Sequence, residues 1–241
     1  MIETFIALLL AHLVADFLLQ PDSMAQNKDK WPVLLQHTGI VWVSTLLITG
    51  TFLQPIVYAV AFAHLIIDAL KSRLEKPGLA NFSVDQAAHV LTLLIATICA
   101  PTLWDQGIWS TLAPPALITG FALLCGFILT VIVGGFVVGL LCAPYTAHVP
   151  KDGLPGAGRI IGTLERSLIF VMIFAGQIGS IALLIGAKSI LRFSTVNEGR
   201  EASEYVIIGT LASFGWAILM TLASHWVITL LPPLEIGPNL P

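Results

Sequence analysis

Ala11-His12-Leu13-Val14-Ala15-Asp16 returns 52 residues later as Ala63-His64-Leu65-Ile66-Ile67-Asp68. Each copy sits in an apolar run, residues 2–20 and 54–72, about long enough to cross the ~30 Å hydrocarbon core of a bilayer as a helix. Positions four apart share a helix face, so each copy sets a histidine beside a carboxylate. His37 opens the run 33–50 and His89 opens the run 83–100, again 52 residues apart. The chain holds only six histidines, so three titratable positions in one register mark a duplication. The unit repeated is a helical hairpin. Both copies start on the same side of the membrane, so they are parallel repeats, related by a pseudo-two-fold axis along its normal. Asp85 breaks the symmetry, because Val33 stands at the equivalent place.

Outward from this repeat, further apolar runs cover 116–141, 161–187 and 204–231. The fold expected is an all-α, polytopic transmembrane bundle of about six to seven spanning helices. Residues 1–105 are expected to form a four-helix repeat domain, and 106–241 a C-terminal helical half. Composition points the same way. Of 241 residues, 56% are hydrophobic and 10% charged, with a mean hydropathy of +0.91. Soluble domains carry about 25% charged residues, so too few are present to cover a globule in water. The net charge of −3 suggests no nucleic-acid partner. Cys99, Cys125 and Cys142 lack metal-type spacing and read as small hydrophobes. Met1-Ile2-Glu3 lacks the basic start of a cleaved signal, so the first helix is expected to stay in the mature protein.

Lysine and arginine orient the bundle. Lys28 and Lys30 follow the first run, Lys71, Arg73 and Lys76 the third, and Lys151 and Arg159 the fifth, while the loops after the second and fourth hold none. The positive-inside rule then places the N-terminus outside and those loops in the cytoplasm. The run 161–187 either crosses once or folds back as a re-entrant hairpin around Gly176-Gln177-Ile178-Gly179; the hairpin keeps Lys188, Arg192 and Arg200 inside. Non-helical backbone at membrane depth needs protein or water around it.

This topology brings seven side chains to one depth near the cytoplasmic face: His12, Asp16, His37, His64, Asp68, Asp85 and His89. An aspartate at a helix centre costs about 2.5–3.5 kcal/mol on an insertion scale, so the set needs a compensating partner. Carboxylates and imidazoles on facing helices form bundle-core metal sites. One or two divalent ions are expected, zinc by its mixed N/O preference, with manganese or iron as alternatives. Two blander readings compete: His–Asp pairs that neutralise one another across packed helices, and a proton relay. Axial ligation of haem by the histidines is disfavoured by the neighbouring aspartates.

In the second half, Arg159, Glu165 and Arg166 occur in Gly-Arg-Ile-Ile-Gly-Thr-Leu-Glu-Arg, Lys188 and Arg192 in Lys-Ser-Ile-Leu-Arg-Phe, and Glu204 opens the last run. Two readings stay open. Glu165 and Glu204 pair with these cations to pack the helices, or Arg159, Arg166, Lys188 and Arg192 bind an anion such as a lipid head group.

His12-Leu-Val-Ala-Asp16-Phe-Leu-Leu-Gln20, His37, His64-Leu-Ile-Ile-Asp68-Ala-Leu-Lys71 and Asp85-Gln86-Ala-Ala-His89 resemble the motifs of a bacterial family of membrane proteins, domain of unknown function 3307. Gly162-Thr-Leu-Glu165-Arg166, Lys188-Ser-Ile-Leu-Arg192-Phe and Glu204-Tyr-Val-Ile-Ile-Gly209-Thr210 look like those of its longer members. A looser likeness is to membrane-bound metal-dependent hydrolases. The reading expected is a metal-dependent hydrolase acting on a phosphoester or lipid-linked anionic substrate, with Asp85 as candidate general base. The alternatives are a metal-ion or proton-coupled transporter, and a structural or regulatory subunit with a stabilising metal.

Overall fold

The computed structural model describes residues 1–74, 78–148, 154–193 and 200–234, and every regular element among them is helical. In chain order these are α1 (Ile2–Phe17), α2 (Asp22–Ala25), α3 (Trp31–Thr49), α4 (Pro55–Leu74), α5 (Leu79–Cys99), α6 (Trp109–Leu112), α7 (Leu117–Phe127), α8 (Gly134–Cys142), α9 (Ala157–Phe174), α10 (Ile178–Phe193) and α11 (Arg200–Ile228). A π-helical turn, Ile128–Val133, joins α7 to α8.

Five helical stretches among the described residues are long and apolar enough to cross a membrane: Trp31–Thr49, Pro55–Arg73, Leu79–Cys99, Leu117–Thr146 and Ser203–Ile228. Their outer faces are apolar too. Phe62, Ile98, Leu211 and Trp226 are 63%, 68%, 67% and 64% exposed. Water would oppose that by about 25 cal/mol per Å² of apolar surface, whereas hydrocarbon does not. The protein is therefore an all-α bundle of the membrane type. The six or seven spans expected from the sequence are reached only by adding α1 and α9. At 16 residues α1 is about 24 Å long, short of the ~30 Å core, and nine of its residues are buried. Its counterpart α9 carries Arg159, Glu165 and Arg166.

The chain divides into two compact units, Met1–Cys125 together with the chain from Val227 on, and Gly126–Trp226. In the first, α1 and α4 each pack on both α3 and α5. The four helices thus form a ring, with α1 opposite α4 and α3 opposite α5. Leu8, Val57, Val60, Leu93, Ala96 and Leu103 form one core cluster of this ring. Pro32 lies in the first turn of α3, where no helical N–H is needed. At its other end Gly50 takes a left-handed φ of 67°, and a side chain there would strike Trp109 and Ile108.

The duplication is visible in the packing. Gln54 Nε2 donates to Gln106 Oε1 at 2.6 Å, and the His12 and His64 rings lie 5.7 Å apart. Equivalent residues of two copies meet only near the axis that relates them, so the pseudo-two-fold passes between both pairs. The His37–His64 pair and its counterpart His89–His12 share a ring separation of 5.1 Å.

In the second unit the stretch 161–187 does not continue as one helix. The chain turns at Ala175–Gln177, with Gly176 at φ 71°, and α10 runs back along α9. Lys188 Nζ on α10 meets Glu165 Oε2 on α9 at 2.7 Å. Ile169, Ile173 and Ile181 close the hairpin on Phe214 and Ala217 of α11. The π-helical turn is stabilised from outside: Trp216 Nε1 donates to the Leu129 carbonyl at 2.9 Å and Arg166 Nε to that of Val131 at 3.0 Å. Carbonyls that a π-helical turn leaves in hydrocarbon need such donors.

Candidate metal centre

α1 and α4 bring His12, Asp16, His64 and Asp68 into the ring from their C-terminal halves, while α3 and α5 bring His37, Asp85 and His89 from their first halves. The four histidines are at most 4% exposed, and Asp68 is 1% exposed. All seven residues singled out in the sequence converge. Ligand atoms fall into three groups, each within 4.8 Å: His12, His64 and His89; Asp16, His37 and His64; Asp68, Asp85 and His89.

Most of the separations are longer than hydrogen bonds, the His37–His64 pair excepted. Asp16 Oδ1 lies 3.4 Å from His37 Nε2 and 3.5 Å from His64 Nε2. Asp68 Oδ2 lies 3.5 and 3.4 Å from the same two nitrogens, which are 3.1 Å apart. Zinc–nitrogen and zinc–oxygen bonds of about 2.0–2.2 Å give tetrahedral edges of about 3.3–3.5 Å. Asp16, His37 and His64 thus form one triangle with edges near that length, and His37, His64 and Asp68 another, the two sharing the His37–His64 edge. Charge-assisted hydrogen bonds are shorter, about 2.7–2.9 Å. The lysines here do reach that length: Lys28 Nζ donates to Asp68 Oδ2 at 2.7 Å and Lys71 Nζ to Asp85 Oδ2 at 2.8 Å.

Unsatisfied atoms point the same way. His12 Nδ1, Asp16 Oδ1, His37 Nδ1, Asp85 Oδ1 and His89 Nε2 are buried and make no hydrogen bond. A buried polar atom left unpaired costs about 1–3 kcal/mol, more when charged. A cation between Asp16, His37, His64 and Asp68 would satisfy the first of these carboxylates. The residues present fit a divalent ion.

The surroundings are one-sided. Next to the histidines, one helical turn away, Leu8, Val41, Val60 and Leu93 form an apolar collar, each at most 4% exposed. They obey the same 52-residue relation, 8 with 60 and 41 with 93. Between this collar and the rings of His12, His64 and His89 lies a cavity with room for about one water. The other side is polar. Gln86 Nε2 donates to Asp85 Oδ2 at 3.1 Å, and its Oε1 lies 3.3 Å from His12 Nε2. The Gln20 amide, turned so that both ends are satisfied, accepts from Lys28 at 2.9 Å and donates to the Asp16 carbonyl at 3.2 Å.

Sequence reasoning assigned Lys28 and Lys71 only to loop charge, and gave Gln20 and Gln86 no role. Lys71 lies three residues beyond Asp68 on α4, a helical neighbour. Lys28 lies in the turn between α2 and α3, where no period marks it.

The basic residues of the second half belong to the other unit. Arg166 is 3% exposed; besides Val131 it binds Ser213 Oγ through Nη1 at 3.1 Å, in a slot lined by Gly134, Gly135 and Gly162. Lys188 pairs with Glu165. Arg159 and Glu204 are exposed on α9 and α11, and the side chain of Arg192 lies outside the described residues.

Residues 4–113 match the model of a family described as "Protein of unknown function (DUF3307)", a stretch that contains all seven residues of the cluster. No curated protein and no solved structure matches the chain.

Proposed function

We propose that this chain, which matches the DUF3307 family model over residues 4–113, is a membrane-embedded metal-dependent hydrolase. Asp16, His37, His64 and Asp68 hold a divalent ion, zinc by donor type, and the substrate is a phosphoester or lipid-linked anion. The observation that carries this reading is the set of 3.1–3.5 Å separations among four buried donors on three helices. A divalent ion held there would act as a Lewis acid on a phosphoryl or carbonyl oxygen once one of the four donors gives way to substrate or water.

The chain's own groups supply the rest. Lys28 and Lys71 form the polar side of the centre and favour an anionic substrate there. The collar of Leu8, Val41, Val60 and Leu93 narrows the opposite side and carries no ionisable group, leaving room for about one water beside Thr45 and Thr92. That collar also weighs against a transporter, which needs polar groups leading to both faces. The site then works from the lysine side, which the distribution of basic residues assigns to the cytoplasm.

The test is metal content by mass spectrometry on full-length protein purified in detergent without chelator, with His64→Ala and Asp68→Ala alongside. Turnover is measured on p-nitrophenyl phosphate and on phosphorylated lipids. Expected are bound metal in wild type, its loss in both variants, and hydrolysis that follows the metal. Wild type without metal after zinc and manganese supply would sink the reading. Bound metal with no turnover would leave a stabilising centre, and metal-coupled flux in proteoliposomes would make it a transporter.

A further inference from the structure

We infer that the centre takes a second cation, between Asp68, Asp85 and His89, with the Asp68 carboxylate bridging the two ions. This rests on the metal reading above and adds a position that shares only Asp68 with the first ligand set. Asp68 presents a different oxygen to each set. Its Oδ2 faces His37 and His64, while its Oδ1 lies 3.5 Å from His89 Nε2. Asp85 Oδ1 lies 3.5 Å from that same nitrogen.

Neither Asp85 Oδ1 nor His89 Nε2 makes a hydrogen bond, although their side chains are only 4% and 2% exposed. Both atoms therefore lack a partner that a shared cation would supply. Asp85 Oδ2 is held by Lys71 and Gln86, which leaves its Oδ1 free, while Lys28 donates to Asp68 Oδ2, the oxygen that faces His37 and His64, and leaves Oδ1 to the second set. Outer partners of this kind fix ligands in place and turn the free oxygen inward. Two ions on the two oxygens of one carboxylate is the arrangement of two-metal hydrolytic centres, whose ions lie about 3.5–4 Å apart.

The two positions are unequal. The first has four protein donors, as closed zinc sites do. The second has three, as sites that keep a place for water or substrate do. The water-sized cavity touches a histidine of each position, His64 of the first and His89 of the second. Symmetry gives only one such position, because Val33 and Leu19 stand where the second copy has Asp85 and Lys71. Asp85 thereby becomes a ligand, not the general base its asymmetric place suggested. Three carboxylates and two lysines leave one negative charge, so the second divalent ion enters a centre already made positive. It binds more weakly than the first.

The test is titration of metal-free, full-length protein in detergent with manganese, followed by equilibrium metal counting and electron paramagnetic resonance. Expected are two ions per chain, with the second step producing the spectrum of an exchange-coupled pair. Asp85→Asn should keep one uncoupled ion. A wild-type protein that stops at one ion, or takes two without coupling, overturns the bridge while leaving the single-metal reading intact. An Asp85→Asn protein that still shows the coupled pair also overturns it. No bound ion at all overturns both readings. The wild-type spectrum decides even if the variant fails to fold.

Discussion

Lys28→Met is expected to weaken the metal-free protein and strengthen metal binding. The ammonium lies 2.7 Å from Asp68 Oδ2, with side-chain exposures of 10% and 1%. At an effective dielectric of 20 their attraction is about 6 kcal/mol. Loss of solvation offsets part of it, and removing one partner of a buried pair costs about 3–5 kcal/mol. For a chain of this size that lowers the metal-free melting midpoint by about 6–20 °C. With an ion on Asp68 the sign changes. A divalent cation about 2 Å from Oδ2 lies at most about 4.7 Å from the ammonium, a repulsion of about 7 kcal/mol at the same dielectric. If Lys28 instead swings away on binding, its pair with Asp68 must first break, which also opposes the metal. Either route makes zinc bind more tightly to the Met variant, by tenfold or more on the order of these energies. The assay is melting by tryptophan fluorescence with and without zinc, paired with chelator competition for affinity. Unchanged or weaker zinc binding in the variant would show that Asp68 Oδ2 is not a ligand.

Four further outcomes are expected. Zinc at 100 times its dissociation constant should add about 2.7 kcal/mol to wild-type stability, read as a raised melting midpoint that a chelator reverses. Gln86→Leu removes the donor to Asp85 Oδ2 and the neighbour of His12 Nε2, and should lower metal affinity by about 10–100-fold in the same competition assay. Gly107→Ala should destabilise the first unit by about 1–3 kcal/mol or more, because a methyl there meets the Thr49 backbone carbonyl, which cannot swing aside; a normal melting curve would contradict the packing. Arg166→Met leaves the Val131 carbonyl and Ser213 without their donor and should cost about 1–3 kcal/mol per lost bond. Its metal content should stay at the wild-type value, since Arg166 belongs to the second unit.

The helices of the first unit were legible because one physical rule acted twice. A side chain that must face other helices in a bilayer recurs at i and i+4, and the duplication repeats that rule at a fixed offset. The ring order of α1, α3, α4 and α5 follows, since equivalent helices must lie across the axis. The turn at Gly176 was legible for a local reason, a glycine that can take positive φ beside a polar Gln177. Crossing number was less so. Hydropathy measures composition, whereas spanning needs length, and α1 is apolar yet stops at Phe17, three residues short of the run that contains it.

The site was legible only in its symmetric part. His12 with His64, Asp16 with Asp68 and His37 with His89 announce themselves by recurrence. The residues that complete the centre do the opposite. At the same offset Lys28 faces Ala80, Lys71 faces Leu19, Asp85 faces Val33, Gln86 faces Leu34 and Gln20 faces Ser72. Of these only Asp85 was caught, because it also falls four residues before His89. The structure places the other four on Oδ2 of Asp68 and of Asp85 or on the lysine that binds one of them. There is a physical reason for the division. A two-fold ring of ligands gives a cation two identical approaches, and a charged group beside the axis would be duplicated with it. A single open position, and a single side from which an anion can arrive, require that one copy lose what the other keeps. Mismatches between the copies are therefore where an asymmetric chemistry has to be written.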